Sequence, residues 1–387
     1  MKQRVIALID CDSFYVSCER KDNPSLQGKA VCVMTSASDK GIVVSRSKEA
    51  KELGVKMGAP YFQIKNTYKN VVYLPTRMKR YAEISAQVMS EIKNFSPDVE
   101  VVSVDEAYID LTGLDKVFKI SYVQIIKNIR QTILEKLNMP VSIGLSSSKI
   151  LAKLASDKAK SSGGIFVIPP DDIINIVGSE KIDQVSGVGR KNAQNLYFHG
   201  VFDIKDFVQK DNAWIRAVLG INGLSLKQEL MGIATSLVDK TPQAPQSIQD
   251  TKSFEDFTDN FEFLSYELNY HIHNACKKIR QWNGFCSEIE VMLKTKDFKV
   301  FALSGKFENP TNSNFEIRAL AQQLLKNIYN PNFIYRSTGI TLKQLTYGKQ
   351  IQQSLFDNIK PHDDKLSHII DELEYKFGQG IVKTGKM

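Results

Sequence analysis

The sequence has little that would indicate a membrane protein, a disulfide scaffold or a zinc site. It contains no run of about 18 uncharged apolar residues, so we expect no membrane-spanning helix. Its five cysteines are odd in number and show no Cys-x-x-Cys spacing, which disfavours disulfides and zinc clusters and fits a reducing cytoplasm. The apolar run Val5–Ile9 is shorter than a signal-peptide core and is followed by acidic residues, so it is expected to be a strand.

Acidic residues are outnumbered by basic ones, and the imbalance is local. The 387-residue chain has a formal net charge of +8, and residues 1–165 alone hold 25 lysines and arginines against 17 acidic residues. A basic region of this kind favours a polyanionic partner, although a basic surface that serves only solubility is the alternative. The length predicts several soluble domains.

Three carboxylates are predicted to meet at one point of a sheet. Asp10 follows the apolar run Val5–Ile9. Asp105 and Glu106 follow Val99–Val104, whose valines predict a strand that is buried on both faces. If the two strands lie side by side, the three acids converge, and such buried charge must be answered by cations. Because carboxylate oxygens suit Mg²⁺, the sequence predicts a magnesium site.

Composition and periodicity divide the chain into segments. Strands and helices alternate around the carboxylates and predict an α+β sheet as far as the Pro169-Pro170 boundary. Residues 171–235 are predicted to form short helices, and residues 236–250 have the composition of a linker. Beyond the linker the predicted order β-α-β-β-α-β is the ferredoxin-like plan, and residues 348–387 form a tail.

A glycine-rich turn is predicted between two helices within Ile182–Gly200. Such a turn presents consecutive backbone N–H groups at a helix N-terminus, where a phosphate can bind. It matches the helix-hairpin-helix pattern that grips the DNA backbone, although a plain turn between two helices is the alternative. The candidate DNA-binding residues are Gly187, Val188, Gly189, Arg190 and Lys191.

Several separated motifs carry a family resemblance. Asp10–Tyr15, Ser103–Ala107 and Ser147–Lys153 resemble the active-site motifs of the Y-family translesion DNA polymerases. Within that family, Ser45–Gly58 is most similar to the UmuC-like branch, the catalytic subunits of DNA polymerase V. The resemblance extends from Val5 to the tail, and its motifs occur in the order that the family has.

The resemblance implies a multidomain α+β protein shaped as a right-hand polymerase. Its parts would be a ferredoxin-like palm, small fingers, a helical thumb with the helix-hairpin-helix, and a ferredoxin-like little finger. The implied boundaries are palm 1–13 and 78–168, fingers 14–77, thumb 169–235, linker 236–250, little finger 251–347 and C-terminal tail 348–387.

The resemblance also assigns roles around two Mg²⁺ ions. Asp10 and Asp105 would bridge both ions, and Glu106 would complete the site near the primer 3′-OH. The carbonyl of Cys11 would serve the ion on the nucleotide side, whereas Asp12 is expected to support the site or its turn. Two such ions clamp the attacking 3′-oxygen and the leaving pyrophosphate.

Other positions are implied to hold the incoming nucleotide. Tyr15 would lie beneath the sugar and exclude a 2′-hydroxyl. The family often has Tyr and Arg where this sequence has Lys48 and Lys51, and a lysine offers a point charge rather than a planar fork. These lysines are alternatively a solvated helix face, in which case Arg46 could supply one contact. Ile42 and Val44 would form the roof over the nascent base pair. The implied nucleotide-binding residues are Phe14, Tyr15, Ile42, Val44, Ser45, Arg46, Lys51 and Lys160.

The tail carries a candidate partner motif. Gln352–Phe356 resembles the peptide that binds the bacterial sliding clamp (β), in which Gln352, Leu355 and Phe356 make the contacts. A segment that only packs on the protein itself is the alternative. The other implied partners are primer–template DNA, dNTP and, as candidates, a UmuD-like subunit and a RecA filament.

These features predict an error-prone, DNA-dependent DNA polymerase that copies past damaged template bases in an SOS-type response with mutagenesis. The short fingers lack a long helix that could close over the base pair, which implies weak shape rejection and low fidelity. One alternative is a non-catalytic DNA- and sliding-clamp-binding protein that keeps the polymerase fold. A palm-domain nucleotidyl cyclase is disfavoured by the glycine-rich hairpin and the C-terminal ferredoxin-like domain.

Overall fold

A computed structural model describes residues 3–348, 362–378 and 381 of the chain. The chain divides into two compact units, Met1–Pro242 and Gln243–Met387. None of the helices in the described ranges is long and apolar enough to cross a membrane. All five cysteines are buried and carry free thiols.

The first unit is built around a five-stranded sheet in the order β5-β6-β1-β7-β8. Strand β1 lies in its middle, antiparallel to β6 on one side and to β7 on the other. Every residue of β1 is buried, and a smaller sheet has the order β3-β2-β4. The strands are β1 Ile6–Cys11, β2 Val31–Met34, β3 Val43–Arg46, β4 Val72–Pro75, β5 Val99–Val101, β6 Glu106–Asp110, β7 Val141–Ser146 and β8 Ile165–Val167.

Helices cover both faces of the central sheet because β1 alternates its side chains between them. Ala7 and Ile9 join the core that includes Tyr81 and Ile126, whereas Ile6 and Leu8 face Ala152. The helices up to this point are α1 Phe14–Asp22, α2 Lys48–Glu52, α3 Tyr61–Ile64, α4 Met78–Lys93, α5 Leu114–Phe118, α6 Tyr122–Leu137 and α7 Lys149–Ala159.

Helix α7 packs against the sheet at backbone distance. A Cβ atom on Gly144 of β7 would lie 2.1 Å from the backbone N of Ser156 and 2.2 Å from the carbonyl O of Ala152. Only glycine allows this approach, and any larger side chain would push the helix off the sheet.

The prediction that Val99–Val104 is buried on both faces is wrong. Strand β5 ends at Val101 and lies at the edge of the sheet, where it pairs with β6. Val101 is 47% exposed and Val104 is 39% exposed. The chain turns directly after β5, since the N–H groups of Val102 and Ser103 both donate to the carbonyl of Glu106.

The remainder of the first unit is helical, as predicted for residues 171–235. The expectation of a helix on each side of the glycine-rich hairpin needs correction, because the element before it is a one-turn 3₁₀-helix, Ile182–Gln184. The helices are α8 Ile173–Val177, α9 Arg190–Phe198, α10 Ile204–Gln209 and α11 Asn212–Leu230.

The predicted linker 236–250 is shorter in the structure. Its first residues are fixed to the first unit, because the N–H of Ser236 donates to Glu229 and the N–H of Asp239 donates to Glu100. Val238 packs against the apolar side chains of β1. At the other end, residues 248–250 belong to the first strand of the second unit. The linker was predicted from amino-acid composition, which does not reveal these backbone hydrogen bonds or the pairing of residues 248–250 in a strand.

The second unit confirms the predicted β-α-β-β-α-β order. Its sheet has the order β11-β10-β12-β9, with neighbouring strands antiparallel. A further helix, α14, packs on α12, where Arg280 forms a two-pronged ion pair with Asp371 at 2.7 and 2.9 Å. The elements are β9 Ile248–Thr258, α12 Phe261–Gln281, β10 Gly284–Thr295, β11 Val300–Thr311, α13 Asn314–Ile328, β12 Tyr335–Tyr347 and α14 His362–Phe377. The candidate clamp peptide Gln352–Phe356 lies outside the described residues.

Candidate active site

The pairing of β1 with β6 brings the three predicted carboxylates together. Asp10 is the register partner of Glu106, and the N–H of Cys11 donates to the carbonyl of Asp105 at 2.9 Å. All three acids line a cavity of about 670 Å³. The cavity also contains most of the predicted nucleotide-binding residues, namely Phe14, Tyr15, Val44, Ser45, Arg46, Lys51 and Lys160, together with Lys48.

Two lysines in and just after α7 pair with these carboxylates and neutralise part of their negative charge. The Nζ of Lys160 lies 2.8 Å from Oδ2 of Asp10, and the Nζ of Lys153 lies 3.3 Å from the same oxygen. Lys153 also donates a short hydrogen bond to Glu106. Asp10 is only 4% exposed, so its charge would be costly to bury without these partners.

The environment shifts the titration of this cluster. Burial disfavours the ionised form of Asp10, but hydrogen bonds with Glu106 and Lys160 outweigh it and lower the pKa of Asp10. Burial, reinforced by the hydrogen bond with Asp10, raises the pKa of Glu106 above its ordinary value. Burial opposes the charge on Lys153, yet its bond to Glu106 and the charge of Asp10 raise the pKa of that lysine. Lys153 therefore stays protonated.

Lys153 ends the Ser147–Lys153 motif, but no role was predicted for its side chain. Lys153 and Lys160 are seven residues apart, about two helical turns, so they share one side of the α7 region. Lys149 lies on the same helix but pairs with Glu100 at 2.5 Å. The motif and the seven-residue spacing from Lys160 were the available signals, although lysines on a helix are more often solvated.

Asp105 and Asp12 are held in different ways. The hydroxyl of Ser103 donates to the Asp105 carboxylate and accepts the N–H of Glu106 at 3.1 Å, which fixes the acidic turn. Within the described part of the chain, Asp105 forms no ion pair with a basic side chain. Asp12 accepts the hydroxyl of Ser142 at 2.7 Å, and burial raises the pKa of Asp12.

The donor set fits Mg²⁺ that is shared with a substrate, rather than a closed protein cage. No group of three His, Cys, Asp or Glu side chains within the described ranges forms a preformed metal cage. Carboxylate oxygens are the donors that Mg²⁺ takes, and it commonly completes its shell with water and substrate phosphate oxygens. Burial raises the pKa of the Cys11 thiol far above its ordinary value, so that residue could contribute only its backbone.

Tyr15 lies in the first turn of α1, and aromatic packing fixes its ring. Its ring stacks on that of Tyr81, with centroids 4.6 Å apart and planes 17° from parallel. The Tyr81 hydroxyl in turn donates to Glu19 at 2.6 Å, and Arg77 pairs with Glu19. Burial raises the pKa of Tyr15, with Asp105 adding to the effect, so its phenol stays neutral.

Not all of the nucleotide-binding residues predicted in and around β3 and α2 are free to contact a nucleotide in the cavity. The Arg46 guanidinium donates to the carbonyl of Val55, so one of its N–H groups is already used. The side chain of Lys48 is 87% exposed and only 4.0 Å from Glu52. Ile42 does not line the cavity and is 39% exposed. An adjoining cavity of about 790 Å³ gathers four basic side chains, those of Lys48, Lys51, Arg130 and Lys160.

The glycine-rich hairpin presents its backbone to solvent. Gly187 has φ +91°, a conformation that favours glycine, and Gly189 is the N-cap of α9. Val188 is buried between them and anchors the hairpin, whereas Arg190 and Lys191 are exposed. Free N–H groups and cations at a helix N-terminus can bind a phosphate.

Comparisons with known proteins identify the relatives of this chain. The model of the impB/mucB/samB family matches residues 9–157, and the model of the C-terminal domain of that family matches residues 245–355. A protein named DNA polymerase IV 1 from Halalkalibacterium halodurans is 31% identical, with 100% of this chain and 94% of that protein covered. Protein ImpB of Salmonella typhimurium is 27% identical, with 98% and 92% covered. A solved Y-family DNA polymerase chimera, Dbh-Dpo4(243-245)-Dbh, shares the fold, with a TM-score of 0.77 at 24% identity over 89% of this chain and 100% of that one.

We predict that Lys153→Met strengthens Mn²⁺ binding to the nucleotide-free protein by roughly ten-fold. The ammonium group of Lys153 occupies the carboxylate oxygens that the ion must use, so its removal takes away a competitor. Electron paramagnetic resonance titration of free Mn²⁺ measures the change.

Lys149→Met is the matched control, because Lys149 lies on the same helix and pairs with Glu100 instead. It should leave the affinity for Mn²⁺ close to that of the parent protein. Unchanged or weaker binding by Lys153→Met would contradict the role of Lys153 as a counter-ion.

Proposed function

We propose that this chain, which belongs to the impB/mucB/samB family (the Y family of translesion DNA polymerases), is an error-prone enzyme that acts in an SOS-type response with mutagenesis. Its family and relatives make it a DNA-directed DNA polymerase. The single observation that supports catalysis is the convergence of Asp10, Asp105 and Glu106 beside Lys160 in one cavity. A non-catalytic relative would have no need to keep so much buried charge.

The proposed roles at the metal site follow from the donors. Asp10 and Asp105 would hold two Mg²⁺ ions, with Glu106 on the primer side and the Cys11 carbonyl on the nucleotide side. When bound, two such ions stabilise charge on the attacking 3′-oxygen and the leaving pyrophosphate. Lys160 would exchange its contact with Asp10 for the triphosphate, and Lys153 would keep Glu106 oriented.

The proposed nucleotide site uses the other residues that line the cavity, and also Ile42, which does not line it. Tyr15, held flat against Tyr81, would lie beneath the sugar, with Phe14 beside it. Val44 and Ile42 would roof the nascent base pair. The remaining contacts to the triphosphate would come from Ser45, Arg46 and Lys51, in addition to Lys160.

The proposed DNA contacts lie outside the cavity. Gly187, Gly189, Arg190 and Lys191 would hold a backbone phosphate without reading the sequence, because they offer N–H groups and positive charge. The sheet of the second unit would make further contacts with primer–template DNA.

The proposed branch within the family is the UmuC-like one, and Ser45–Gly58 supports it. Relatives named DNA polymerase IV are found at 31% identity and ImpB at 27% identity. A UmuD-like subunit and a RecA filament are the further partners that this branch would bring. The proposed location is the cytoplasm.

Primer extension on a defined template, with and without an abasic site, tests the catalytic proposal. We expect Asp105→Ala and Glu106→Ala each to lower the extension rate by about 10³-fold or more, because each removes an oxygen ligand of Mg²⁺. DNA binding, followed by fluorescence anisotropy, should change little.

Asp171→Asn is the control, since Asp171 is exposed on a 3₁₀ turn away from the cavity. Normal extension by either alanine variant would remove the metal assignment. A parent protein that binds DNA but extends no primer would favour the non-catalytic alternative.

Tyr15→Ala should raise incorporation of ribonucleotides relative to deoxyribonucleotides by at least about ten-fold, because the ring that meets the 2′-hydroxyl is gone. The ratio of kcat/KM for CTP and dCTP measures this. Tyr15→Phe keeps the ring stacked on Tyr81 and should stay selective. Equal selectivity in the alanine variant would overturn the role of Tyr15.

The proposed clamp contact is tested by Leu355→Ala combined with Phe356→Ala. This variant should copy a bare template at the parent rate and lose stimulation by the sliding clamp, because the tether raises the local concentration of enzyme at the primer end. Ile351→Ala, just outside the peptide, is the control. Undiminished stimulation of the double variant would count against the tether.

A further inference from the structure

One end of the second unit's sheet gathers aromatic rings and cations. Phe298 lies in the turn between β10 and β11, and the guanidinium carbon of Arg336 on β12 is 4.0 Å from the centroid of its ring. The Nζ of Lys294 is 5.1 Å from the same centroid. Arg336 also lies 5.5 Å from the ring of Phe257 on β9. We call Phe298, Arg336 and Lys294 the aromatic–cation platform.

The backbone at Phe298 is unusual for a bulky residue. Its φ is +66°, in the left-handed region that large side chains seldom adopt. Burial does not offset this strain, since Phe298 is 64% exposed. The hairpin sets this conformation, because the N–H of Phe298 donates to the carbonyl of Thr295 and the N–H of Thr295 donates to the carbonyl of Lys299. A small residue would suit this position, so the turn does not account for the large exposed ring.

The surroundings of Phe298 suit a ligand that is both flat and negatively charged. Val300 and Ile334 beside the turn are also exposed. Among the described residues, neither Arg336 nor Lys294 forms an ion pair with a carboxylate. Their charges are therefore available to an external anion, next to an exposed aromatic surface.

We propose that the aromatic–cation platform binds single-stranded nucleic acid by stacking an unpaired base on Phe298 while Arg336 and Lys294 hold the adjacent phosphates. Surfaces that bind single strands combine stacking rings with basic side chains in this way. A duplex hides its base faces, and an acidic peptide would use the cations without the ring. The identification of the strand as an unpaired template rests on the proposed polymerase function.

Phe298→Trp turns the platform into a fluorescent reporter. The chain has two tryptophans of its own, so the parent protein supplies the background. When a twelve-nucleotide oligo(dT) is added, a stacked base should quench the fluorescence of the new tryptophan. An abasic strand of equal length and charge should leave that fluorescence unchanged. The titration is made in EDTA without nucleotide, so it does not depend on catalysis.

Phe298→Gly tests the affinity. The variant should bind oligo(dT) about ten-fold more weakly, because it loses the stacking surface. Its thermal stability should not fall, since glycine adopts φ +66° without strain. Tyr266→Ala is the matched control, because Tyr266 is an exposed aromatic residue on α12 of the same unit, and it should bind like the parent.

Two results would overturn the platform. Equal quenching by the abasic strand or by an acidic peptide would show a site for charge alone, and unchanged oligo(dT) affinity in Phe298→Gly would show that the ring is not used. Failure of the primer-extension test would leave these binding results intact, so the two proposals fail separately.

Discussion

The negative charge that collects where β1 meets β6 governs the arrangement of the first unit. Asp10 is almost fully buried and lies in register with Glu106, so the site requires positive charge at all times. The ammonium groups of Lys153 and Lys160 supply it. Mg²⁺ held by these carboxylates would share their oxygens with the two lysines, whose charges would then be available to an anionic substrate.

The positions of those lysines depend on how tightly α7 is held. Gly144 allows the helix to approach the sheet at backbone distance. At the helix N-terminus, the buried Glu229 accepts from the backbone N–H groups of Thr235 and Ser236, and its own carbonyl accepts the hydroxyl of Ser148. One residue, Glu229, thus joins the end of α11, the start of α7 and the chain that leaves the first unit. Movement of the helical region that carries the glycine-rich hairpin would therefore shift α7 and the lysines that pair with the carboxylates.

The sequence predicted what depends on local pattern and missed what depends on distant partners. The apolar run Val5–Ile9 and the acids that follow the strands were sufficient to place Asp10 beside Glu106, and periodicity was sufficient for the β-α-β-β-α-β order. Valine composition could not show that Val101 and Val104 lie on an exposed edge, because β-branched residues suit edge and central strands alike. Nor could it show that the N–H of Asp239 reaches Glu100, 139 residues away.

The buried cysteines have a consequence for the chemistry that this chain tolerates. Burial raises the pKa of Cys18 and of Cys276 to about 12 and that of Cys32 to about 11. The thiolate is the form that peroxide attacks, and almost none of it exists at neutral pH in such surroundings. A protein whose substrate is damaged DNA would thus keep its cysteine thiols reduced under the oxidative conditions that damage the template.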